Sequence, residues 1–275
     1  MQWDLAHHRG AAFPSLILRP VGVYPILTSL CQDPHLRPQD LKNYLAEANL
    51  ADAPLVGMRD LSEGISGLLR HLREQGLVVR CVYHGPGSHT RYEITRLGAE
   101  LVGALGPLTA WAMEDFGFLV AATRVRLGLP PLDGPVPESM REEHRATGMA
   151  IGLLAGMWSN PLMVYVDSAG CDGIGPLDLE ARINADLEAT AGPERVVRTL
   201  ARPMLHDTLN RLVAKGLIVW QAVEPPRVRY RLSPHGRGLM DAWWQIADEW
   251  GIARIPELFP IVRATSGWFV QQPEE

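Results

Sequence analysis

Polar side chains suited to base recognition share one face of a predicted helix at about residues 202–215. This face carries Asp207, Asn210 and Arg211, and His206 lies at its edge. Asparagine can form two hydrogen bonds to adenine, and arginine can form two to guanine, along the edges that line the major groove of DNA. His206, Asn210 and Arg211 are therefore candidates for contact with bases.

Four further cations surround this helix. Arg202 and Lys215 lie at its two ends, and Arg227 and Arg229 lie on a strand that follows it. Contacts from lysine and arginine to phosphate position a protein on nucleic acid without reading its sequence. The two residues at the helix ends suit phosphates, and the two on the strand suit the backbone or the minor groove. Each of them, taken singly, is equally compatible with a solvated surface.

The helix that presents these groups is amphipathic. Leu205, Leu209, Leu212 and Val213 recur at helical spacing and form one apolar stripe on the side opposite the polar face. Gly216 follows directly, where a glycine in the left-handed conformation would end the helix.

A hairpin and a second helix come next. The run LIVWQAV at 217–223 is followed by Glu-Pro-Pro and by RVRYRL at 227–232, in which arginines alternate with apolar residues as in a half-buried strand. Ser233 then begins a new helix as its N-cap, with Pro234 in the first turn. This order of elements is the second half of a winged helix-turn-helix.

The same unit is built twice in the chain. The run at 68–80 recurs at 208–220 with an offset of 140 residues, and the run at 91–101 recurs at 229–239 with an offset of 138. The two copies therefore differ in length only between these two runs, which indicates that the tip of a hairpin lies there. In the first copy Thr95 takes the capping position. The pattern predicts a supersecondary unit repeated within one chain.

The second copy resembles the HxlR family of bacterial winged-helix transcriptional regulators. The matching segments are Met204–Leu205, Gly216–Leu217, Pro225–Tyr230, Leu232–Gly236 and Trp250–Gly251. The first copy matches more weakly, because its wing lacks the Pro-Pro-Arg-Val run. The resemblance implies a mainly α fold with small β-hairpin wings, arranged as tandem winged helix-turn-helix domains that bind double-stranded DNA. Family members are similar to one another as single domains that pair, so two fused copies would form a pseudo-dimer.

The first copy is the poorer candidate for DNA binding. Its counterparts of the base-reading residues are Ser66, Arg70 and His71. Gly64 and Gly67 lie within the same helix, each costing about 1 kcal/mol relative to alanine. We expect this copy to bind DNA weakly or to serve as a scaffold.

The distribution of charge also favours the second copy as the one that binds DNA. Residues 195–237 contain nine arginines and lysines against two acids, whereas residues 59–100 contain six against five. The whole chain is acidic, with a formal net charge of −5. The basic surface expected of a nucleic-acid-binding domain is therefore concentrated in the second copy, although a basic cluster can also be only a solvated face.

Composition points to an ordinary globular protein. Apolar residues make up 47% of the 275 and charged residues 21%. No run of 18 apolar residues and no signal-peptide pattern occurs. Cys31, Cys81 and Cys171 lack metal-ligand spacing, and we expect reduced thiols. These observations predict a cytoplasmic protein with no membrane contact, no metal and no cofactor.

Four parts are expected along the chain. The degenerate first domain, with an N-terminal arm, takes 1–128, and the HxlR-like domain takes 141–252. A Pro/Gly-rich linker at 129–140 joins them, and a tail at 253–275 follows. Within the second domain, a helix is predicted at about 141–158, followed by an insertion with a possible short strand before its second helix.

Four tryptophans follow the two wings in sequence. They are Trp111, Trp243, Trp244 and Trp250. They are predicted to form an apolar interdomain core or, alternatively, an aromatic-lined pocket for a flat small molecule.

Three functions remain open at this point, one of which is a partner-binding adaptor that would expose the apolar residues of the C-terminal tail. The expected one is a sequence-specific transcriptional regulator, monomeric as a pseudo-dimer or homodimeric, that can respond to a small-molecule effector. The alternative is a winged-helix scaffold that binds or transforms a small molecule between its halves without binding DNA. No common catalytic motif occurs in the chain, so we expect no enzyme.

Overall fold

The computed structural model shows a mainly helical chain. It describes residues 14, 17–18, 22–34, 36–48, 61–83, 89–191, 196–197, 199–224, 227–258 and 269–270. The chain forms two compact units. The first unit is Ile17–Ala155, and the second unit is Gly156–Glu275 together with Met1–Leu16.

The first unit contains seven described helices and one hairpin. In chain order these are α1 (Val23–Gln32), α2 (Pro38–Ala48), α3 (Leu61–Glu74), β1 (Val78–Tyr83), β2 (His89–Ile94), α4 (Arg96–Ala104), α5 (Gly106–Glu114), α6 (Phe116–Leu127), a 3-10 turn (Glu138–Met140) and α7 (Glu143–Leu154). β1 and β2 pair in antiparallel register from Val78 opposite Ile94 to Tyr83 opposite His89.

The second unit repeats the helix, hairpin, helix order. Its elements are α8 (Ser159–Ser168), a 3-10 turn (Gly170–Asp172), α9 (Pro176–Ala191), β3 (Val196–Val197), α10 (Arg202–Ala214), β4 (Ile218–Glu224), β5 (Arg227–Leu232), α11 (Pro234–Ile246), a π turn (Ala247–Gly251) and β6 (Phe269–Val270). β4 pairs with β5, and the two-residue strand β3 pairs with β6. The predicted fold class, mainly α with hairpin wings in tandem winged helix-turn-helix domains, is confirmed.

A glycine stop and a serine cap join the helix, hairpin and following helix of the second unit. Gly216 ends α10 with φ of 74°. The Ser233 hydroxyl donates to the Gly216 carbonyl (2.6 Å) and accepts from the backbone N–H of Gly236 (3.0 Å). The backbone N–H of Ser233 donates to the Leu217 carbonyl at 3.0 Å. The cap of α11 is thus tied to the end of α10.

The first unit has the same joint. Gly76 has φ of 71°, and its carbonyl accepts from the Thr95 hydroxyl at 2.8 Å. The N–H of Gly98 donates to that hydroxyl oxygen (3.1 Å), and the N–H of Thr95 donates to the Leu77 carbonyl (2.9 Å). The sequence repeat is therefore also a repeat of hydrogen bonds.

In each unit the wing also contacts a short segment of chain, which lies just before α2 in the first unit and just before α9 in the second. Ile174 and Tyr230 exchange two backbone hydrogen bonds of 2.9 Å. In the first unit the N–H of Tyr92 donates to the Leu36 carbonyl at 3.3 Å. The extended residue at 174 is all that the structure shows of the short strand expected in this region.

The predicted insertion at 161–176 is wrong. Its first half, 161–168, belongs to α8, whose residues 162–166 are buried. The helix predicted at 141–158 ends at Leu154 as α7 and packs in the first unit. Its Thr147 hydroxyl lies 2.7 Å from the Thr109 hydroxyl of α5. The domain limits expected from the repeat remain a prediction, as does the linker.

The leucines of each recognition helix enter the core as predicted, whereas Val213 of the predicted stripe is only half-buried. Leu205, Leu209 and Leu212 of α10 are fully buried, as is Leu72 of α3. Most of the predicted N-terminal arm and most of the predicted C-terminal tail lie outside the described residues. No single helix in the described ranges is long and apolar enough to cross a membrane, and only α7 and α8 taken together pass that test of length and composition.

Asp167 on α8 makes the stability of the second unit sensitive to pH. Its carboxylate accepts from the Trp244 indole N–H at 2.6 Å, and burial raises the pKa of Asp167 above its usual value. The folded state therefore binds the proton of Asp167 more tightly than the unfolded state does. Protonation of Asp167 stabilises the fold at low pH, and this contribution is lost as pH rises from the pKa of Asp167 in the unfolded chain through its higher pKa in the folded chain.

We therefore expect Asp167→Asn to raise the unfolding temperature at neutral pH, since the amide oxygen still accepts from Trp244 without a buried charge. Thermal unfolding at pH 4 and pH 7 measures this, and the gain should shrink at the lower pH. Asp248→Asn, at an exposed position of the π turn, is the control and should leave stability nearly unchanged. A lower unfolding temperature for Asp167→Asn at pH 7 would contradict the expectation.

Candidate nucleic-acid interface

The outward face of α10 is open to solvent. His206, Asn210 and Arg211 are all exposed, and Met204 beside them is 39% exposed. The side chains of His206 and Asn210 form no hydrogen bond or ion pair with any residue in the described ranges. Their donors and acceptors are therefore available to an outside partner such as a base edge.

Arg211 is oriented by its own helix. Its guanidinium lies 2.9 Å from the Asp207 carboxylate, one turn away, and donates to the Thr208 hydroxyl at 3.2 Å. Both charged side chains remain more than half exposed, so this pair contributes little to stability. Asp207 can instead hold the guanidinium of Arg211 in place on the exposed face.

The two ends of α10 differ from each other in exposure. Arg202 is exposed, with its guanidinium 3.3 Å from the Glu180 carboxylate of α9. Lys215, predicted to contact phosphate, is only 7% exposed. Its counterpart in the first unit, Gln75, is 2% exposed, so this position packs inward in both copies. The structure therefore does not place Lys215 with the exposed cations.

The wing strand β5 carries a row of exposed arginines. Arg227 and Arg229 were predicted there, and Arg231 completes the row on the same face. Arg229 is anchored, because its guanidinium donates to the Asp172 carbonyl at 3.1 Å and lies 3.5 Å from the Gly173 carbonyl. Sequence reasoning did not select Arg231, although the alternation of the strand could have identified it.

The first unit presents a reduced set. Ser66 and Arg70 are exposed on α3. His71 is half-buried, and its ring Nε2 lies 3.0 Å from the Ile17 carbonyl, so the ring is engaged inside the unit. Two of the three predicted contact residues of this copy therefore lie on its open face.

The four tryptophans are core residues. Trp243 is completely buried, and Trp111, Trp244 and Trp250 are between 3% and 9% exposed. Trp111 meets Phe118 edge to face at 6.4 Å within the first unit, and the other three belong to the second. This burial favours the apolar-core reading over a pocket open to ligands.

Comparison with known proteins identifies both copies. The HxlR-like helix-turn-helix family matches residues 58–117 and 190–258. The first match runs from before α3 to the start of α6, and the second runs from the end of α9 past the π turn. No curated protein and no solved structure matches the chain at a significant level.

The chain carries the HxlR-like helix-turn-helix domain twice.

The HxlR-like matches assign a general role to the exposed faces. Helix-turn-helix domains of this family bind DNA, so the chain is a DNA-binding transcription regulator. Each match contains a whole recognition helix, wing and capped helix, the parts that the sequence repeat also joins.

We also searched for side chains that could bind a metal or act as a reactive thiol. Among the described residues, no three or more histidine, cysteine, aspartate or glutamate side chains are grouped as metal ligands. Cys31 and Cys171 are exposed, and Cys81 is half-buried. The most complete arrangement of exposed polar groups in the described residues is the helix face and wing of the second unit.

Proposed function

We propose that this HxlR-family chain is a sequence-specific transcription regulator in which the second unit reads DNA. The observation that carries the proposal is the open face of α10, where His206 and Asn210 have no partner among the described residues. Arg211 lies beside them, oriented by Asp207. Side chains of these types on a helix that enters the major groove discriminate between base pairs.

The charges around this helix support the same assignment. Arg227 and Arg231 are exposed on the wing and form no ion pair with any residue that the structure describes. An array of unpaired guanidinium groups near a recognition helix favours contact with a phosphate backbone. Lys215 takes no part in this proposal.

Fluorescence anisotropy tests the function directly. The purified protein is titrated against duplex DNA from the region upstream of its own gene and against random duplex of equal length, across a salt series. We expect tighter binding to the upstream duplex and a log–log salt slope that corresponds to several phosphate contacts. Absence of binding to either duplex at low salt would overturn the proposal.

The two copies are proposed to act as a pseudo-dimer of unequal halves. The first copy offers Ser66 and Arg70 but not His71, and its basic residues nearly balance its acids. Its preferred DNA site would then be asymmetric, with one half-site dominant. Sedimentation velocity should give a mass near 30.4 kDa for the DNA-free protein. A dimer that persists on dilution would contradict a single-chain pseudo-dimer.

A cytoplasmic location and a small-molecule effector belong to the same proposal. The cytoplasm is where a regulator meets chromosomal DNA in bacteria, the source implied by the HxlR resemblance. The buried tryptophans give little support to a flat ligand at that place. Thermal-shift screening of the protein would reveal an effector as a compound that raises the unfolding temperature.

A further inference from the structure

A cleft of about 300 Å³ opens on the outer face of the second wing. Its walls are the loop Cys171–Gly173, the β4 residues Gln221, Ala222 and Val223, and the β5 residues Arg229 and Arg231. We call it the wing cleft. It lies away from the apolar face of the hairpin, where Tyr230 and Leu232 are buried.

The wing cleft carries uncompensated positive charge. Arg229 and Arg231 are two residues apart on one strand, so their side chains project from the same face. The groups that accept hydrogen bonds from Arg229 are backbone carbonyls, which carry no net charge. Asp172 is the one acidic residue that lines the cleft, against the two arginines.

Two hydrogen-bond donors in the wing cleft are unused. The side chains of Arg231 and Gln221 form no hydrogen bond or ion pair with any residue in the described part of the chain. Gln221 is directly opposite Arg229 in the β4–β5 ladder, and Val219 is opposite Arg231. Side chains on one face of neighbouring strands at these positions lie close enough to bind one small group together.

The backbone holds the wing cleft in shape before any ligand arrives. Gly173 has φ of 65°, and a Cβ at this position would lie 2.7 Å from the Tyr230 carbonyl oxygen. Glycine at position 173 therefore lets the loop approach β5 more closely than a residue with a Cβ atom would permit. The two hydrogen bonds between Ile174 and Tyr230 then fix the loop to the strand.

The first wing provides a comparison within the same chain. Its residues equivalent to Arg229 and Arg231 are Arg91 and Glu93, 138 positions earlier. The Arg91 guanidinium lies 5.1 Å from the ring centre of Tyr83, and the Tyr83 hydroxyl donates to Glu93 at 3.0 Å. An acid thus replaces the unpaired arginine, and the adjacent cation lies over an aromatic ring.

We propose that the wing cleft is a binding site for one phosphate group, held by Arg231 and Gln221 beside the anchored guanidinium of Arg229. Guanidinium forms paired, charge-assisted hydrogen bonds to phosphate oxygens, and the amide of Gln221 adds a neutral donor. The site exists in the second copy only, since Glu93 would repel the same group in the first.

Two sources can supply this phosphate. One is the DNA backbone, in which case the site rests on the proposed function and extends it to the outer face of the wing. The other is a free phosphate compound that binds the wing without DNA. Both present the same tetrahedral oxyanion, so separate measurements must distinguish them.

The test compares Arg231→Ala with the wild-type chain in two assays, in chloride buffer without phosphate. In the first, the salt slope for a random duplex should decrease by about 1, the value for one lost phosphate contact. In the second, inorganic phosphate is titrated while the side-chain amide signals of Gln221 are followed by NMR, and the variant should lose the wild-type response. Arg231→Lys should restore part of both effects, because the charge remains without the paired geometry.

Controls separate the site from general charge loss and from misfolding. Arg182→Ala removes an exposed arginine of α9 outside the cleft and should leave the Gln221 response to phosphate intact. The unfolding temperature of Arg231→Ala should match that of the wild type, since the Arg231 side chain is exposed and bonds to no described residue.

Each outcome has a meaning. A changed salt slope alone supports the DNA backbone as source, and a changed phosphate response alone supports a free compound. If Arg231→Ala changes neither while the wild type still binds DNA, the wing cleft proposal is overturned and the proposed function stands. If the wild type binds neither DNA nor phosphate, both proposals fail.

Discussion

Gly236→Ala should destabilise the second unit by about 3 kcal/mol, at the upper end of the usual cost of overpacking a core. A Cβ at position 236 would overlap the carbonyl oxygen of Leu217 and lie 2.9 Å from the carbonyl carbon. Both atoms are backbone, so no side chain can rotate aside. The same carbonyl accepts from the N–H of Ser233, so relieving the overlap would also break the cap of α11.

Urea unfolding followed by far-UV circular dichroism measures this loss. Gly98→Ala tests the equivalent joint, since its Cβ would overlap the Leu77 carbonyl oxygen and lie 2.8 Å from Cγ1 of Ile94. Gly103→Ala is the matched control, because the helical Gly103 has nothing within 4 Å of the added carbon. That control should gain about 0.5–1 kcal/mol from reduced backbone freedom.

The pattern across these variants decides whether the joint is a steric requirement. Losses for Gly98→Ala and Gly236→Ala with a gain for Gly103→Ala would establish it. If Gly236→Ala were as stable as the wild type, the close approach of α11 to the end of α10 would not be obligatory. The role of glycine at this place in the repeated pattern would then need another explanation.

The glycine pattern shows how far sequence reasoning reaches. Spacing alone predicted that Gly216 ends a helix and that Ser233 begins one, and both are confirmed. The third member, Gly236, could be read only as part of the family pattern. Its reason is a close approach between residues 217 and 236, and a contact between segments cannot be deduced from local spacing.

Helix α8 was missed for a different reason. Residues 162–166 are all buried, so the apolar run has no polar face and no helical period. A short continuous apolar run is equally compatible with a buried strand. Gly170 and Gly173 beyond it favoured a loop, and Pro161 suits the first turn of the helix that forms.

The sequence predicts which face of α10 is exposed, but not the burial of every individual side chain in the candidate site. The exposed positions of α10 follow from its apolar stripe, and Asn210 and His206 lie where the period of 3.6 places them. Lys215 is beyond the last full turn, where the approach of the next segment, not helical period, decides burial. His71 is similarly fixed by Ile17, which is 54 residues away in sequence.

Asn210→Ala should weaken binding to the preferred DNA site by about fivefold to 150-fold, the equivalent of about 1–3 kcal/mol for one bidentate base contact. Asn210 is exposed and bonds to no described residue, so its loss should leave the fold intact. Because the side chain is neutral, affinity for random duplex and the salt slope should not change. Anisotropy against both duplexes at several salt concentrations gives these three quantities together.

Arg70→Ala is the matched control, since residue 70 takes the position of Asn210 in the first copy, 140 residues earlier. If the second copy dominates base reading, Arg70→Ala should change preference less and should affect specific and random duplex alike. Equal loss on both duplexes for Asn210→Ala would place this side chain against the backbone instead. A larger loss of preference for Arg70→Ala would reverse the assignment, making the near-neutral first copy the reader and the basic second copy its electrostatic anchor.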